Sequence, residues 1–213
     1  DCIADPAIDT GWKIRENLGL TNEMPLGLSE SRGWNPFPWA YRNDCVTFGQ
    51  VDALKNLPSN PNWPPYADGD QMLIKYLEQC GEDEAVLLPL CPITPLTNVL
   101  KARPDLISKI SGMVWMAGAV NVPGNLDPNT VPSSVWNKSA EWNIFWDPFA
   151  VDWLFRNTDF PIILAPLDVS DPVKVTLGFM DQLKNQSEKG SLVSTLAYQG
   201  YSLTSNEPFY RMW

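Results

Sequence analysis

The residues best placed to do chemistry lie in the middle of the 213-residue chain. Asn125 directly follows Gly124, and Glu141 and Asn143 stand on either side of Trp142 in the run Ala140-Glu141-Trp142-Asn143. Upstream of them an apolar run, Gly112 to Met116, leads into the small-residue turn Ala117-Gly118-Ala119. A buried strand that ends in small residues, beside a loop of amides and one carboxylate, is a common way to build a pocket at a strand's C-terminal end. Taken singly, each residue has a plainer reading. Asn after Gly suits a turn, and Glu141 and Asn143 suit a loop or a cap. Asp147 and Asp168 read as helix caps, and Trp142, Trp146 and Trp153 as packing residues.

The elements that must position these residues alternate in type. Ala7, Ile8, Gly11, Ile14 and Leu18 share one helical face, with Pro6 suited to the first turn. Met24 to Leu28 is expected to be a short strand, and Ser29 to Trp39 a loop rich in Gly, Pro and aromatic residues. Asp44 to Asp68, with Pro58, Pro61, Pro64 and Pro65, reads as a long surface connection. Gly69 to Gln79 carries a helical stripe of Met72, Leu73, Tyr76 and Leu77. Glu84 to Cys91 is expected to be a strand buried on both faces, as parallel sheets bury their strands. A short helix is expected over Thr97 to Ala102, and a capped one from Asp147-Pro148 to about Asn157. Phe160 to Leu167 reads as a further strand, and Pro172 to Asn185 and Ser191 to Ser202 as the last helices. Alternation of this kind predicts an α/β fold, a mostly parallel sheet flanked by helices, within one domain spanning residues 1–213.

Composition narrows the function. Hydrophobic residues make up 44% and charged residues 19%, a globular balance. A net charge of −10 argues against a nucleic-acid backbone or an anionic membrane as partner and fits a neutral small substrate. No apolar run approaches the roughly 20 residues of a membrane helix, and no signal peptide is recognisable. Cys2, Cys45, Cys80 and Cys91 include no C-x-x-C pair and the chain has no histidine, which argues against zinc. They read as buried thiols or as one or two disulfides. The sequons at Asn137 and Asn185 tilt the reading toward a secreted glycoprotein, with the cytoplasm as the alternative.

Four ordered blocks carry a resemblance. Pro95-Leu96-Thr97-Asn98, Met116-Ala117-Gly118-Ala119 with Gly124-Asn125, Ala140-Glu141-Trp142-Asn143 with Asp147-Pro148, and Leu167-Asp168-Val169-Ser170 resemble the signatures of the calcium-dependent nucleoside hydrolases. Trp142 and the segment Asn35-Pro36-Phe37-Pro38 are similar to the purine-specific branch. The resemblance covers the central two-thirds of a family member, without its first strands and C-terminal part. It implies hydrolysis of the N-glycosidic bond of purine ribonucleosides to free base and ribose, with Ca²⁺ orienting water and the ribose hydroxyls.

Carried over by position, Asn125, Glu141 and Asn143 would hydrogen-bond the ribose and Met116 would line it. The Ile93 carbonyl would face calcium, and Tyr41 and Trp213 would stack on the base. The family's aspartate cluster, its late aspartate and its base-specific histidine have no counterpart here. These 213 residues alone are therefore expected to bind calcium weakly and to leave nucleosides intact. Ala117 and Thr94 stand where the family has glycine, and both are expected to crowd the metal-side backbone. The expected partner is a nucleoside, with no nucleic acid and no membrane, and self-association is left open. Two other readings stand beside this one: a catalytically inactive hydrolase-like secreted protein with a binding or assembly role, and a carbohydrate-binding module.

Overall fold

Apolar runs bounded by glycines and prolines become three short parallel strands. The computed structural model describes residues 3–59 and 67–204. It divides into two compact units, one of Asp1–Gly27, Trp39–Ala67 and Lys174–Trp213, the other of Leu28–Pro38 and Asp68–Val173.

In the second unit, β1 (Ala85–Leu87), β2 (Ile110–Trp115) and β3 (Ile162–Leu164) form a sheet in the order β1-β2-β3. Val86 lies opposite Gly112, and Val114 opposite Ile163. The helices packed with them are α3 (Gly69–Gln79), α4 (Thr94–Ala102) and α6 (Pro148–Asn157). Ala85, Met113 and Trp115 point into a core with Leu77, Leu100 and Leu154. This is the α/β architecture with a parallel sheet that the alternation predicts.

The first unit holds α1 (Ala4–Leu18), α2 (Asp44–Phe48), α8 (Leu177–Glu188) and α9 (Leu192–Thr204). Val51, Leu54 and Leu196 form its core, with Ile14, Leu18, Phe48 and Leu57 packed against them. Gly19 ends α1 in the left-handed region, at φ 69°.

Several expectations need correction. Met24 to Leu28 is not a strand: Pro25 offers no N–H, and Leu28 alone makes an isolated parallel bridge, to Asp68. The connection after Asp44 is ordered at its start, where α2 forms and Val51 and Leu54 are buried. The three-residue spacing of Phe48, Val51, Leu54 and Leu57 was the available signal. The run Glu84–Cys91 is a strand only to Leu87, because Pro89 interrupts it, and Val86, Leu88 and Leu90 are exposed rather than buried. Helix α4 starts three residues earlier than expected, with Pro95 in its first turn. Helix α8 begins at Leu177, where the Thr176 hydroxyl accepts the Phe179 N–H (3.1 Å). No helix among the described residues is long and apolar enough to cross a membrane.

Candidate active site at the C-terminal end of β2

β2 delivers its last residues to a turn that no ladder holds. Gly118 sits at φ 87°, where a side chain would be strained. Backbone groups just beyond β3 steady the approach: the Ala165 N–H donates to the Trp115 carbonyl (2.8 Å), and the Leu167 N–H to the Gly118 carbonyl (2.8 Å).

Glu141 caps α5 (Trp142–Trp146) and also reaches across to this turn. Its Oε1 accepts the Asn143 N–H (2.8 Å), while Oε2 accepts the Ile144 N–H (3.3 Å) and the Gly118 N–H (2.9 Å). The residue is 2% exposed. Burial pushes its carboxyl pKa up, and the three N–H groups pull partly the other way. Asn143, also buried, donates from Nδ2 to the Met116 carbonyl (2.8 Å) and meets Met116 Sδ (3.4 Å).

Asn125 closes the group from the loop side. Its Oδ1 accepts the Trp142 N–H (3.1 Å), and its own N–H donates to the Ala140 carbonyl (3.2 Å). This close approach needs the preceding glycine, since a Cβ on Gly124 would lie 2.1 Å from the Ala140 oxygen. Asn125, Glu141, Asn143 and Met116 are thus drawn together at one strand end. Asn125 Nδ2 and Asn143 Oδ1 have no hydrogen-bond partner among the described residues.

The Ile93 carbonyl accepts the Thr97 N–H (2.9 Å), the bond that opens α4. Tyr41 lies half-buried in the short 3-10 helix Trp39–Asn43, in the first unit. Trp213 lies outside the described residues. Trp142 and Trp146 pack against Phe37, with ring centroids 6.4 and 4.5 Å away. Asp147 is a cap, accepting the Ala150 N–H (3.0 Å).

The two residues that stand where the family has glycine are both buried. The Thr94 hydroxyl donates to Asp147 Oδ2 (2.8 Å), so a buried bond absorbs it. Ala117 is wholly buried within the core. Sequence spacing missed that Thr94–Asp147 pair and also Asp168, whose partners lie 47 and 48 positions away.

Calcium is bound by six to eight oxygens, usually several carboxylates among them. No group of three or more acidic or cysteine side chains among the described residues is arranged to hold a metal ion. The described residues therefore do not by themselves fit calcium, and none of the chemistry below is routed through it.

The family model described as inosine-uridine preferring nucleoside hydrolase matches residues 27–210. The pyrimidine-specific ribonucleoside hydrolase RihA of Shewanella woodyi is 32% identical over 116 residues, which are 54% of this chain and 33% of that protein. The uridine nucleosidase of Saccharomyces cerevisiae is 24% identical over 195 residues, 88% of this chain and 54% of that one. The crystal structure of the inosine-uridine preferring nucleoside hydrolase of Bacillus anthracis superposes with a TM-score of 0.75 at 25% identity. That match covers 95% of this chain and 64% of that one. The chain thus spans about a third to a half of these two curated relatives.

Proposed function

The chain belongs to the inosine-uridine preferring nucleoside hydrolase family, and from that premise we propose that the complete protein hydrolyses the N-glycosidic bond of ribonucleosides. The observation that carries this reading is the convergence of Asn125, Glu141 and Asn143 on the end of β2. Asn125 Nδ2 and Asn143 Oδ1 supply a donor and an acceptor for neighbouring ribose hydroxyls, and Met116 lines the sugar beside them. Cleavage builds positive charge on the sugar, so hydrogen bonds to its hydroxyls that tighten in the transition state accelerate the reaction. The residues described here bind and orient the sugar.

The experiment is ribose release from inosine and uridine by the complete protein, with and without calcium. Release is expected, and Asn143→Ala is expected to cost roughly 2–4 kcal/mol in kcat/KM, judged from comparable losses of a transition-state hydrogen bond. An unchanged kcat/KM would remove Asn143 from the site. Trp142 and the Asn35-Pro36-Phe37-Pro38 segment favour purines, so inosine is expected to turn over faster than uridine. Tyr41 and Trp213 are proposed to stack on the base, and their replacement by alanine should raise KM.

A binding or assembly role is the second reading. It is favoured by the engagement of both Glu141 oxygens with three backbone N–H groups. Nucleoside binding without ribose release would select it. Secretion is proposed with either reading. Asn137 and Asn185 are both exposed, and a glycosidase-sensitive mass shift of the native protein tests them as glycan sites.

A further inference from the structure

The turn after β2 is gripped from two sides, and only one grip belongs to the residues described above. Asp168 lies in α7 (Leu167–Ser170), beyond the end of β3. Its Oδ2 accepts the Val120 N–H and its Oδ1 the Asn121 N–H, each at 2.8 Å. Next to it, the Leu167 N–H holds the Gly118 carbonyl, while Glu141 holds the Gly118 N–H.

We propose that Asp168 is a positioning residue that fixes the turn Gly118–Asn121 and, through the Gly118 N–H, keeps Glu141 in place. The argument is one of hydrogen-bond accounting. Gly118 has the conformational freedom of a glycine and no strand partner, so its direction is set by what holds the residues around it. A carboxylate offers two acceptor oxygens to two successive backbone N–H groups, an arrangement that orders a loop. The two bonds hold the carboxyl below the usual aspartate range. Were the turn released, Glu141 Oε2 would lose its partner across the gap and keep only the Ile144 N–H on its own helix. Asn143, tied to Met116 two residues before Gly118, would be loosened with it.

Asp168 is therefore distinct from an ordinary helix cap, whose partners lie on its own helix. Asparagine at this position can satisfy only one of the two N–H groups, because its amide nitrogen is a donor. Glutamate keeps both oxygens but displaces them by one methylene. A cap or a surface charge would tolerate either change; a two-point clamp tolerates neither.

The direct test is nuclear magnetic resonance of the complete protein. In wild type the Val120 and Asn121 amide protons should resonate downfield and exchange slowly. Asp168→Asn should move at least one upfield and speed exchange at Gly118, and Asp168→Glu should restore neither. Wild-type Val120 and Asn121 amides that exchange as fast as unstructured backbone overturn the clamp, whether or not the variants fold. Unchanged Gly118 exchange in a folded Asp168→Asn chain overturns its transmission to Glu141.

The kinetic arm rests on the hydrolase reading. In the complete protein Asp168→Asn should lower kcat/KM for inosine by roughly tenfold or more, as small misplacements of binding groups do. Asp168→Glu should not rescue it. Absence of turnover in the wild type defeats the hydrolase reading and leaves the resonance arm to decide the clamp. Full activity in Asp168→Asn defeats the positioning role.

Discussion

Val114 and Trp115 are neighbours on β2, yet Val114 is 36% exposed and Trp115 is wholly buried. The same division runs across the sheet. Ala85, Met113 and Trp115 face the core of α3, α4 and α6, whereas Val86 and Ile163 on the other face are 65% and 64% exposed. Both faces are built from apolar and β-branched residues, as parallel strands usually are. Apolar character therefore does not settle which face carries the fold. The helices settle it, and in this unit they pack on the Trp115 side.

The largest effect should come from that covered side. Trp115→Ala removes a buried ring whose Nε1–H donates to the Cys91 carbonyl (3.1 Å). The cavity should cost about 3–5 kcal/mol of unfolding free energy, measured by urea denaturation. A loss below about 1 kcal/mol would mean that the core rests elsewhere, since cavity formation in a packed core costs more than that.

The C-terminal end of the strands gives an intermediate effect, and here pH separates the two carboxylates that hold the turn. Glu141 has its pKa raised by burial. It contributes stability that is fully present below the ordinary glutamate pKa of about 4.3 and is lost as pH rises through its own higher value. The stability advantage of wild type over Glu141→Gln should therefore shrink as pH climbs from about 4 towards 7, by at most about 1.4 kcal/mol per pH unit. Asp168 has its pKa lowered by the Val120 and Asn121 N–H groups. Its contribution is present above the ordinary aspartate pKa and is lost as pH falls through its own lower value. Wild type and Asp168→Asn should thus diverge as pH rises from the acid range. Urea titrations across pH that moved both differences in one direction would show that the two grips are not electrostatically distinct.

Much of this was legible because local signals agreed. Pro148 after Asp147 marked the start of α6, and the apolar runs around Met113 and Ile163 marked β2 and β3. Asn125, Glu141 and Asn143 stand out by their order within the family blocks, since each alone reads as a turn, loop or cap residue. What stayed hidden depends on distant chain segments. Val86 and Ala85 read alike, and only the placement of α4 and α6 distinguishes them. Asp168 looked like a cap because nothing near position 168 reveals that Val120 and Asn121 turn their N–H groups toward it. The bond from Thr94 stayed hidden because its acceptor, Asp147, lies 53 residues away.

The smallest effect belongs to the exposed face, and it tests the comparison most sharply. Ile163→Thr keeps the β-branch, and with it the preference for an extended backbone, while it replaces a methyl group with a hydroxyl and shortens the chain. At a site already 64% exposed, the apolar area withdrawn from water is small. The change should alter unfolding free energy by no more than about 0.5 kcal/mol, as surface substitutions do. Val86→Thr, also on the open face, should behave alike, and the two should add because they sit on separate strands. The measurement is urea denaturation at two protein concentrations tenfold apart. A loss above about 1 kcal/mol would mean that Ile163 is covered in solution, since burial rather than propensity sets costs of that size. If that loss grew with protein concentration, the cover would be a second copy of the chain, because only association makes stability depend on concentration. Two small, concentration-independent changes would leave the sheet as it stands, with the fold carried by one face and the other open to solvent.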